Sequence, residues 1–134
     1  MTVHDTFVAG NDFKEYKEKY FSLEDIAILP LILLETKSNS RKYVDKFFLD
    51  AGQVLTPSIE LGAHDLLLQL AKINLGVSCV VREFSEEYLK NNFIFELKQK
   101  KSYPRKSNRI LLFKKSSSYP NHERIYNIFE FKCF

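Results

Sequence analysis

Two short polar turns hold the residue types best suited to chemistry in this chain. Ser38-Asn39-Ser40, preceded by Thr36, stands between an apolar run and an amphipathic segment, and Gly62-Ala63-His64 stands between a second such pair. Serine hydroxyls and an asparagine amide offer fitted hydrogen bonds. A helix beginning at either turn adds unpaired backbone N–H groups that attract carboxylates or phosphates. These turns therefore predict a site for a small anion, a carboxylate by preference.

Each turn also has a purely structural interpretation. Ser and Asn are favoured at helix starts without any ligand, and spacing alone supports both interpretations of Ser38-Asn39-Ser40 equally. His64 could contact a ligand, although a surface position is favoured. Arg41 lies one residue into the predicted helix, where its charge opposes the helix dipole. That cost suggests a partner for Arg41, either a nearby carboxylate such as Glu35 or a bound anion.

Signals for catalysis or metal binding are missing from the sequence. It contains no GxGxxG, Walker loop, CxxC, HExxH or GxSxG motif. His4, His64 and His122 are far apart, and no two of them form the i, i+4 pair that places two ligands on one helix face. Glu86 and Glu87 are adjacent and would face different directions on a helix. We therefore expect no cofactor, no metal site and no enzyme activity.

The turns alternate with segments that predict a parallel sheet. Short apolar runs and amphipathic segments follow one another as β-α-β-α-β, at 31–34, 40–51, 58–61, 64–74 and 77–81. This order is typical of parallel strands joined by right-handed crossover helices. Ligands bind such sheets outside the carboxyl ends of the strands, which is where both polar turns fall.

The flanking segments predict further elements. A strand is expected over 3–10 and a short helix over 23–28, with Ser22 as N-cap and Asp25 at the position where Glu or Gln would complete a capping box. Later elements are expected as a helical turn at 86–90, strands at 93–97 and 109–113, and a last helix at 123–129 opened by Pro120.

Composition describes one ordinary globular domain. The chain has 134 residues, 45% of them hydrophobic and 28% charged, with a net charge of +3. Residues 98–115 carry eight basic residues and no acid, and a solvated loop is favoured there over a nucleic-acid or membrane surface. Cys79 is expected to be an inert buried thiol. No signal peptide and no apolar stretch of about 18 residues is present, so a cytoplasmic location without membrane contact is expected.

Several segments, taken in order, resemble the effector-binding domain of LysR-type transcriptional regulators. They are Asp5-Thr6-Phe7-Val8-Ala9-Gly10, Ser22-Leu23-Glu24-Asp25, Pro30-Leu31-Ile32-Leu33-Leu34, Ser38-Asn39-Ser40-Arg41, Glu60-Leu61-Gly62-Ala63-His64 and Leu75-Gly76-Val77-Ser78-Cys79-Val80-Val81. The resemblance covers residues 3–115. It implies an α/β fold like a type-2 periplasmic binding protein, in which a small metabolite binds between two lobes.

The resemblance places this chain as the second lobe of such a domain, truncated and without a counterpart of the DNA-binding domain. It implies that Ser38, Asn39 and Ser40 line the ligand cleft, with Gly62 and Ala63 on a second loop. Ala63 stands where the family often has Ser or Thr. Residues 116–134 match the family poorly and form a divergent C-terminal segment.

The expected function is therefore sensing of a small effector in transcription control, without specific DNA binding by this chain alone. The alternative is a protein-interaction module that docks on an intact regulator or another partner. Homo-oligomer formation is also expected, because a missing lobe would leave apolar crossover residues bare; these are Phe7, Val8, Ile110, Leu111 and Leu112.

Overall fold

The computed structural model describes residues 2–100 with their side chains, and the backbone of residues 108–115 and 126–132. The strands are β1 (Thr2–Gly10), β2 (Tyr20–Phe21), β3 (Leu31–Leu34), β4 (Ile59–Leu61), β5 (Val77–Val81), β6 (Ile94–Glu96), β7 (Lys98–Gln99), β8 (Asn108–Lys115) and β9 (Tyr126–Lys132). The helices are α1 (Leu23–Ala27), α2 (Asn39–Asp50), α3 (His64–Lys72) and α4 (Glu86–Lys90). Single 3-10 segments span Asn11–Tyr16 and Arg82–Phe84.

The main sheet has the strand order β4-β3-β5-β1-β8-β9, and β6 also pairs with β1. Strand β3 is parallel to β4 on one side and to β5 on the other. This confirms the predicted parallel group. Strand β1 runs antiparallel to β5, β6 and β8, and β8 runs antiparallel to β9. A separate parallel pair joins β2 to β7.

Helices cover both faces of the parallel strands, which explains their continuous apolar sequence. Leu31 and Leu33 share one core cluster with residues of α1 and α2. Ile32, between them, belongs to the opposite cluster with residues of α3. The chain moves from β3 outward to β4 and then back across β3 to β5. Because that direction reverses, crossovers of one hand must place α2 and α3 on opposite faces, as observed.

Local signals fix the ends of the helices. Ser22 is the N-cap of α1, as predicted, and Asp25 completes a capping box with it in place of the usual Glu or Gln. After α2, Gly52 has φ 79°, and after α3, Asn74 has φ 67°, so both lie in the left-handed region that ends helices. A Cβ at Gly76 would collide with the carbonyl oxygen of Pro30. Glycine is therefore needed there because β5 begins in close contact with the backbone entering β3.

Three expectations about the fold are wrong. The helix at 123–129 is not formed, because residues from Tyr126 onward lie in β9; residues 123–125 lie outside the described residues. Phe7 and Val8 are not bare but 4% and 0% exposed, since they point to opposite faces of the sheet, where Phe7 packs with residues of α1 and α2 and Val8 with residues of α3. The side chains at 110–112 lie outside the described residues. Cys79 is only half-buried.

Within the described part of the chain, no helix is long and apolar enough to cross a membrane. Of the basic stretch at 98–115, Lys98 and Gln99 form β7 and residues 108–115 form β8. Residues 101–107 lie outside the described residues.

Candidate functional site

The two polar turns meet at a point where the sheet topology reverses. Strand β3 leads to α2 on one face, and its neighbour β4 leads to α3 on the other. Adjacent parallel strands whose connections diverge in this way open a crevice at their carboxyl ends, where α/β proteins bind ligands. The backbone N–H of Glu35 donates to the carbonyl oxygen of Leu61 at 2.8 Å. That bond holds the turn before α2 against the turn before α3.

The structure brings part of the predicted set around one small cavity. Ser40 and His64 both line a space of about 20 Å³, together with Arg41 and residues of β3 and β5. A space of that size has room for about one water molecule. The other predicted residues belong to the same two turns but do not line this cavity; they are Thr36, Ser38, Asn39, Gly62 and Ala63.

The turn before α2 uses its serine as a helix cap. Ser38 has extended backbone angles, and its hydroxyl oxygen accepts a hydrogen bond from the backbone N–H of Arg41 at 3.4 Å. This distance is long for such a bond. The N–H of Ser38 donates to the carbonyl oxygen of Glu35 at 2.9 Å. Ser38 therefore serves as the N-cap of α2, and a contact between Ser38 and a ligand stays a prediction.

Arg41 is buried, with 6% of its surface exposed, and its guanidinium has protein partners. It donates to Asp45 at 2.8 Å, to Glu60 at 2.8 Å and to the carbonyl oxygen of Leu34 at 2.9 Å. Burial lowers the pKa of Arg41, but hydrogen bonds to Asp45 and Glu60 outweigh burial and raise the pKa overall. The expected carboxylate partner is therefore present, but it is Asp45 and Glu60 and not Glu35, the example suggested by the sequence.

The turn before α3 has a different character. Its N-cap is Ala63, with extended backbone angles, and no side chain among the described residues caps the helix. Gly62 is exposed, and a Cβ built on it would lie 3.5 Å from a carboxylate oxygen of Glu35, an ordinary contact distance. Ala63 has no side-chain oxygen to cap α3 as Ser38 caps α2, and helix N-termini of this kind attract small anions.

His64 joins the start of α3 to the end of β5. Its Nε2 atom accepts a hydrogen bond from the backbone N–H of Val81 at 2.9 Å, and its ring lies edge-on to Phe84 with centroids 5.7 Å apart. Nε2 must be unprotonated to accept that bond. The favoured surface position for His64 is therefore wrong, because the ring is half-buried and bonded to the sheet.

A larger groove lies beside the small cavity, and no sequence pattern predicts it. It measures about 510 Å³, and residues from β1, α2, β5 and the segment 96–99 line it. Within it, Glu96 accepts from the Thr6 hydroxyl and from Arg82 Nε, both at 2.9 Å. The hydrogen bond to Glu96 raises the pKa of Arg82. No local pattern reveals this pairing, because it depends on β6 lying beside β1.

Among the residues with described side chains, no three or more His, Cys, Asp or Glu groups are placed to hold a metal ion.

A sheet with parallel strands at one side, antiparallel crossover strands β1 and β8, and polar turns at the reversal point defines a periplasmic-binding-protein-like α/β lobe. A family model described as the LysR substrate binding domain matches residues 6–108, and the chain belongs to this family. No curated protein matches the sequence significantly.

Solved effector-binding domains share the fold. The regulatory domain of CcmR from Synechocystis PCC6803, in complex with 2-PG, has a TM-score of 0.63 and 15% identity, covering 72% of this chain and 47% of that chain. The effector binding domain of QuiR, in complex with shikimate, has a TM-score of 0.63 and 15% identity, and the match covers 80% of this chain and 50% of that chain. The effector binding domain of a BenM variant has a TM-score of 0.58 and 19% identity, and the match covers 76% of this chain and 48% of that chain. The chain thus spans about half the length of each.

Proposed function

We propose that this chain is the small-molecule effector-sensing lobe of a LysR-type transcriptional regulator. The observation that carries the proposal is the meeting of two polar turns at the carboxyl ends of β3 and β4, where the connections diverge to opposite faces. The solved relatives support it, since the CcmR domain was determined with 2-PG and the QuiR domain with shikimate.

The proposed site consists of the two turns, with a small carboxylate as the preferred ligand. Its residues are Thr36, Ser38, Asn39, Ser40, Gly62, Ala63 and His64. Backbone N–H groups at the positive end of the α3 dipole would donate to the carboxylate, and the turn before α2 would close the other side. Arg41 is not assigned to the ligand, because Asp45 and Glu60 hold its guanidinium. Affinity should be low, because a single lobe supplies one wall and pockets normally bury most of a ligand.

The remaining parts of the proposal concern the chain as a whole. Residues 3–115 form the effector lobe and residues 116–134 a divergent segment. The lobe acts in the cytoplasm, needs no cofactor and performs no catalysis. Alone it binds DNA only weakly and without sequence specificity. An operator footprint that survives moderate salt would contradict this last statement, because contacts to phosphates alone weaken steeply with salt.

Calorimetry of the full chain with acetate and shikimate tests the site, with Gly62→Ala as the decisive variant. An added methyl at Gly62 meets Glu35 at an ordinary distance, so the fold should persist while the approach to α3 narrows. Loss of one hydrogen bond of about 0.5–1.5 kcal/mol lowers affinity about 2- to 12-fold. Leu49→Ala, at an exposed position of α2, is the control. Equal affinity in Gly62→Ala, or no carboxylate binding at all, would contradict the proposed site.

A second candidate function, a protein-interaction module, is favoured by exposed apolar residues at one end of the lobe. Ile28, Val54, Ile73 and Leu75 are 81%, 70%, 59% and 51% exposed, and each lies in a segment that leads into a parallel strand. They therefore share the edge of the sheet opposite the polar turns. Exposed apolar patches often mark contact surfaces.

Sedimentation of the native chain and of an Ile28→Ser, Val54→Ser double variant tests this candidate. A discrete dimer that becomes a monomer in the variant supports docking through this edge. A native monomer at roughly 100 µM, a concentration that detects even micromolar contacts, would count against self-association.

A further inference from the structure

We propose that the groove between β1, α2 and β7 is a second ligand site, separate from the two polar turns, for a one- or two-ring aromatic compound without net charge. The groove measures about 510 Å³, inside the range of about 300–1,000 Å³ typical of small-molecule sites. None of the seven turn residues lines it, although Asp5, Val44 and Cys79 line both it and the small cavity.

The groove exists because β1 changes partners along one side. Strand β8 pairs with Thr2 to His4, and β6 pairs with Val8 to Gly10. Asp5 and Thr6 lie between these pairings. The backbone N–H of Leu97 donates a hydrogen bond to the carbonyl oxygen of Phe7 at 2.9 Å. The sheet therefore opens next to α2, at a position set by its hydrogen-bond register and not by a mobile side chain.

Aromatic side chains form the apolar wall of the groove. Phe7 and Phe48 meet edge to face with centroids 5.6 Å apart, and Phe47 meets Phe48 at 6.1 Å. Phe7 and Phe48 are almost fully buried and hold this geometry, whereas Phe47 is half-buried. A further ring entering the groove can continue the edge-to-face arrangement, which aromatic quadrupoles favour.

Along the part of the rim that belongs to residues 2–100, the positive and negative charges cancel. Glu96 binds Arg82 at 2.9 Å, and Lys98 lies 3.6 Å from Glu18. Among the lining side chains that the structure describes, the formal charges are Arg82 and Lys98 against Asp5 and Glu96. Arg82 and Lys98 already have carboxylate partners. Their charges therefore do not attract an anionic ligand, although their side chains remain polar. Thr6 and Gln99 add groups that can hydrogen-bond a hydroxyl, so a phenol or aromatic alcohol fits better than an aromatic acid.

Cys79 gives the site a built-in reporter. Its half-buried thiol lines the groove, and the sequence has only one other cysteine, Cys133. In the full chain carrying Cys133→Ser, the rate of Cys79 alkylation by iodoacetamide therefore measures access to the groove. A bound ligand should slow alkylation saturably, and the half-saturating concentration gives its affinity.

The probes are 2-naphthol, its size-matched acid 2-naphthoate and the non-aromatic decalin-2-ol. We expect 2-naphthol to protect Cys79 best. Phe47→Leu keeps apolar bulk but removes a ring, and loss of an aromatic contact worth about 0.5–1.5 kcal/mol lowers affinity about 2- to 12-fold. The neighbouring exposed Leu49→Ala and the turn variant Ser38→Ala should both bind 2-naphthol as the native chain does.

Specific outcomes overturn the proposal. They are equal protection by decalin-2-ol, tighter protection by the naphthoate, no protection by any probe, or unchanged affinity in a folded Phe47→Leu variant. Loss of 2-naphthol binding in Ser38→Ala would place the ligand at the polar turns instead. The proposed carboxylate site is tested by different variants and ligands, so either site can fail while the other stands.

Discussion

The helices α2 and α3 begin at the same edge of the sheet, but their first turns are built in opposite ways. At α2, Ser38 caps the helix and Arg41 is bound to Asp45 and Glu60. At α3, Ala63 supplies no cap, and the imidazole of His64 accepts a bond from β5. The turn before α2 thus uses Ser38 and Arg41 within the protein, whereas the N-cap of α3, Ala63, has no side-chain acceptor to offer its helix. The two helix starts are therefore stabilised in different ways.

The largest expected effect comes from removing the guanidinium that holds the α2 turn. Arg41→Ala should lower the free energy of unfolding by about 2–3 kcal/mol. That is less than the roughly 3–5 kcal/mol for breaking a fully buried ion pair, because Asp45 and Glu60 are 39% and 47% exposed and can be hydrated. Urea denaturation measures it. Lys46→Ala, which removes an exposed pair with Asp50, should cost less than about 0.5 kcal/mol; equal losses would contradict the account of Arg41.

Removing the cap of α2 should have a smaller effect. Ser38→Ala should lower the free energy of unfolding by about 1 kcal/mol, the typical loss for an N-cap serine. The long 3.4 Å hydrogen bond places the expected value toward the lower end. Urea midpoints at constant m-value measure the loss. If carboxylate binding stays unchanged in this variant, Ser38 acts only as a helix cap.

The converse change should stabilise α3. Ala63 has the extended backbone angles of an N-cap, so Ala63→Ser should raise the free energy of unfolding by about 0.5–1 kcal/mol. The opposite signs of Ala63→Ser and Ser38→Ala sharpen the comparison between the two turns, because both variants exchange the same two residue types. A destabilising Ala63→Ser would show that the start of α3 already has its acceptors.

The smallest effect is a pH dependence at α1, which has the complete capping box that α2 and α3 lack. Hydrogen bonds from the backbone N–H and the hydroxyl of Ser22 lower the pKa of the Asp25 carboxyl below its ordinary value. A carboxylate with a lowered folded-state pKa stabilises the protein at pH values above the unfolded pKa and loses that contribution as pH falls through the folded pKa. Native stability should therefore fall below about pH 4 more steeply than that of Asp25→Asn, as thermal melts between pH 2 and 6 would show.

Much of the parallel core could be predicted from sequence because its signals are local. Continuous apolar runs marked β3 and β5, and Asn74 marked the end of α3. Arg41 was expected to need a partner, but Glu60 lies 19 positions away in sequence. No periodicity in the sequence shows which residue of the edge strand β4 will lie next to Arg41. His64 was misjudged for the same reason, since its bond to Val81 depends on how α3 sits on β5.

The C-terminal strand shows a different failure. Pro120 is typical of a helix start, and it led to the prediction of a helix over 123–129. Yet the segment from Tyr126 is rich in Tyr, Ile and Phe, which favour strands. Its partner strand β8 ends at Lys115, so ten residues lie between the two strands. The strand-forming composition of this segment is therefore a better guide to its structure than the single proline before it.

The central claim is that the turns before α2 and α3 together form one effector site. Mapping amide chemical shifts during titration of the ¹⁵N-labelled full chain with shikimate tests it most directly. The account predicts saturable shifts concentrated at both turns, over 36–41 and 62–66, with the larger shifts at the uncapped start of α3. Shifts confined to one turn, or found only at residues distant from both, would contradict it.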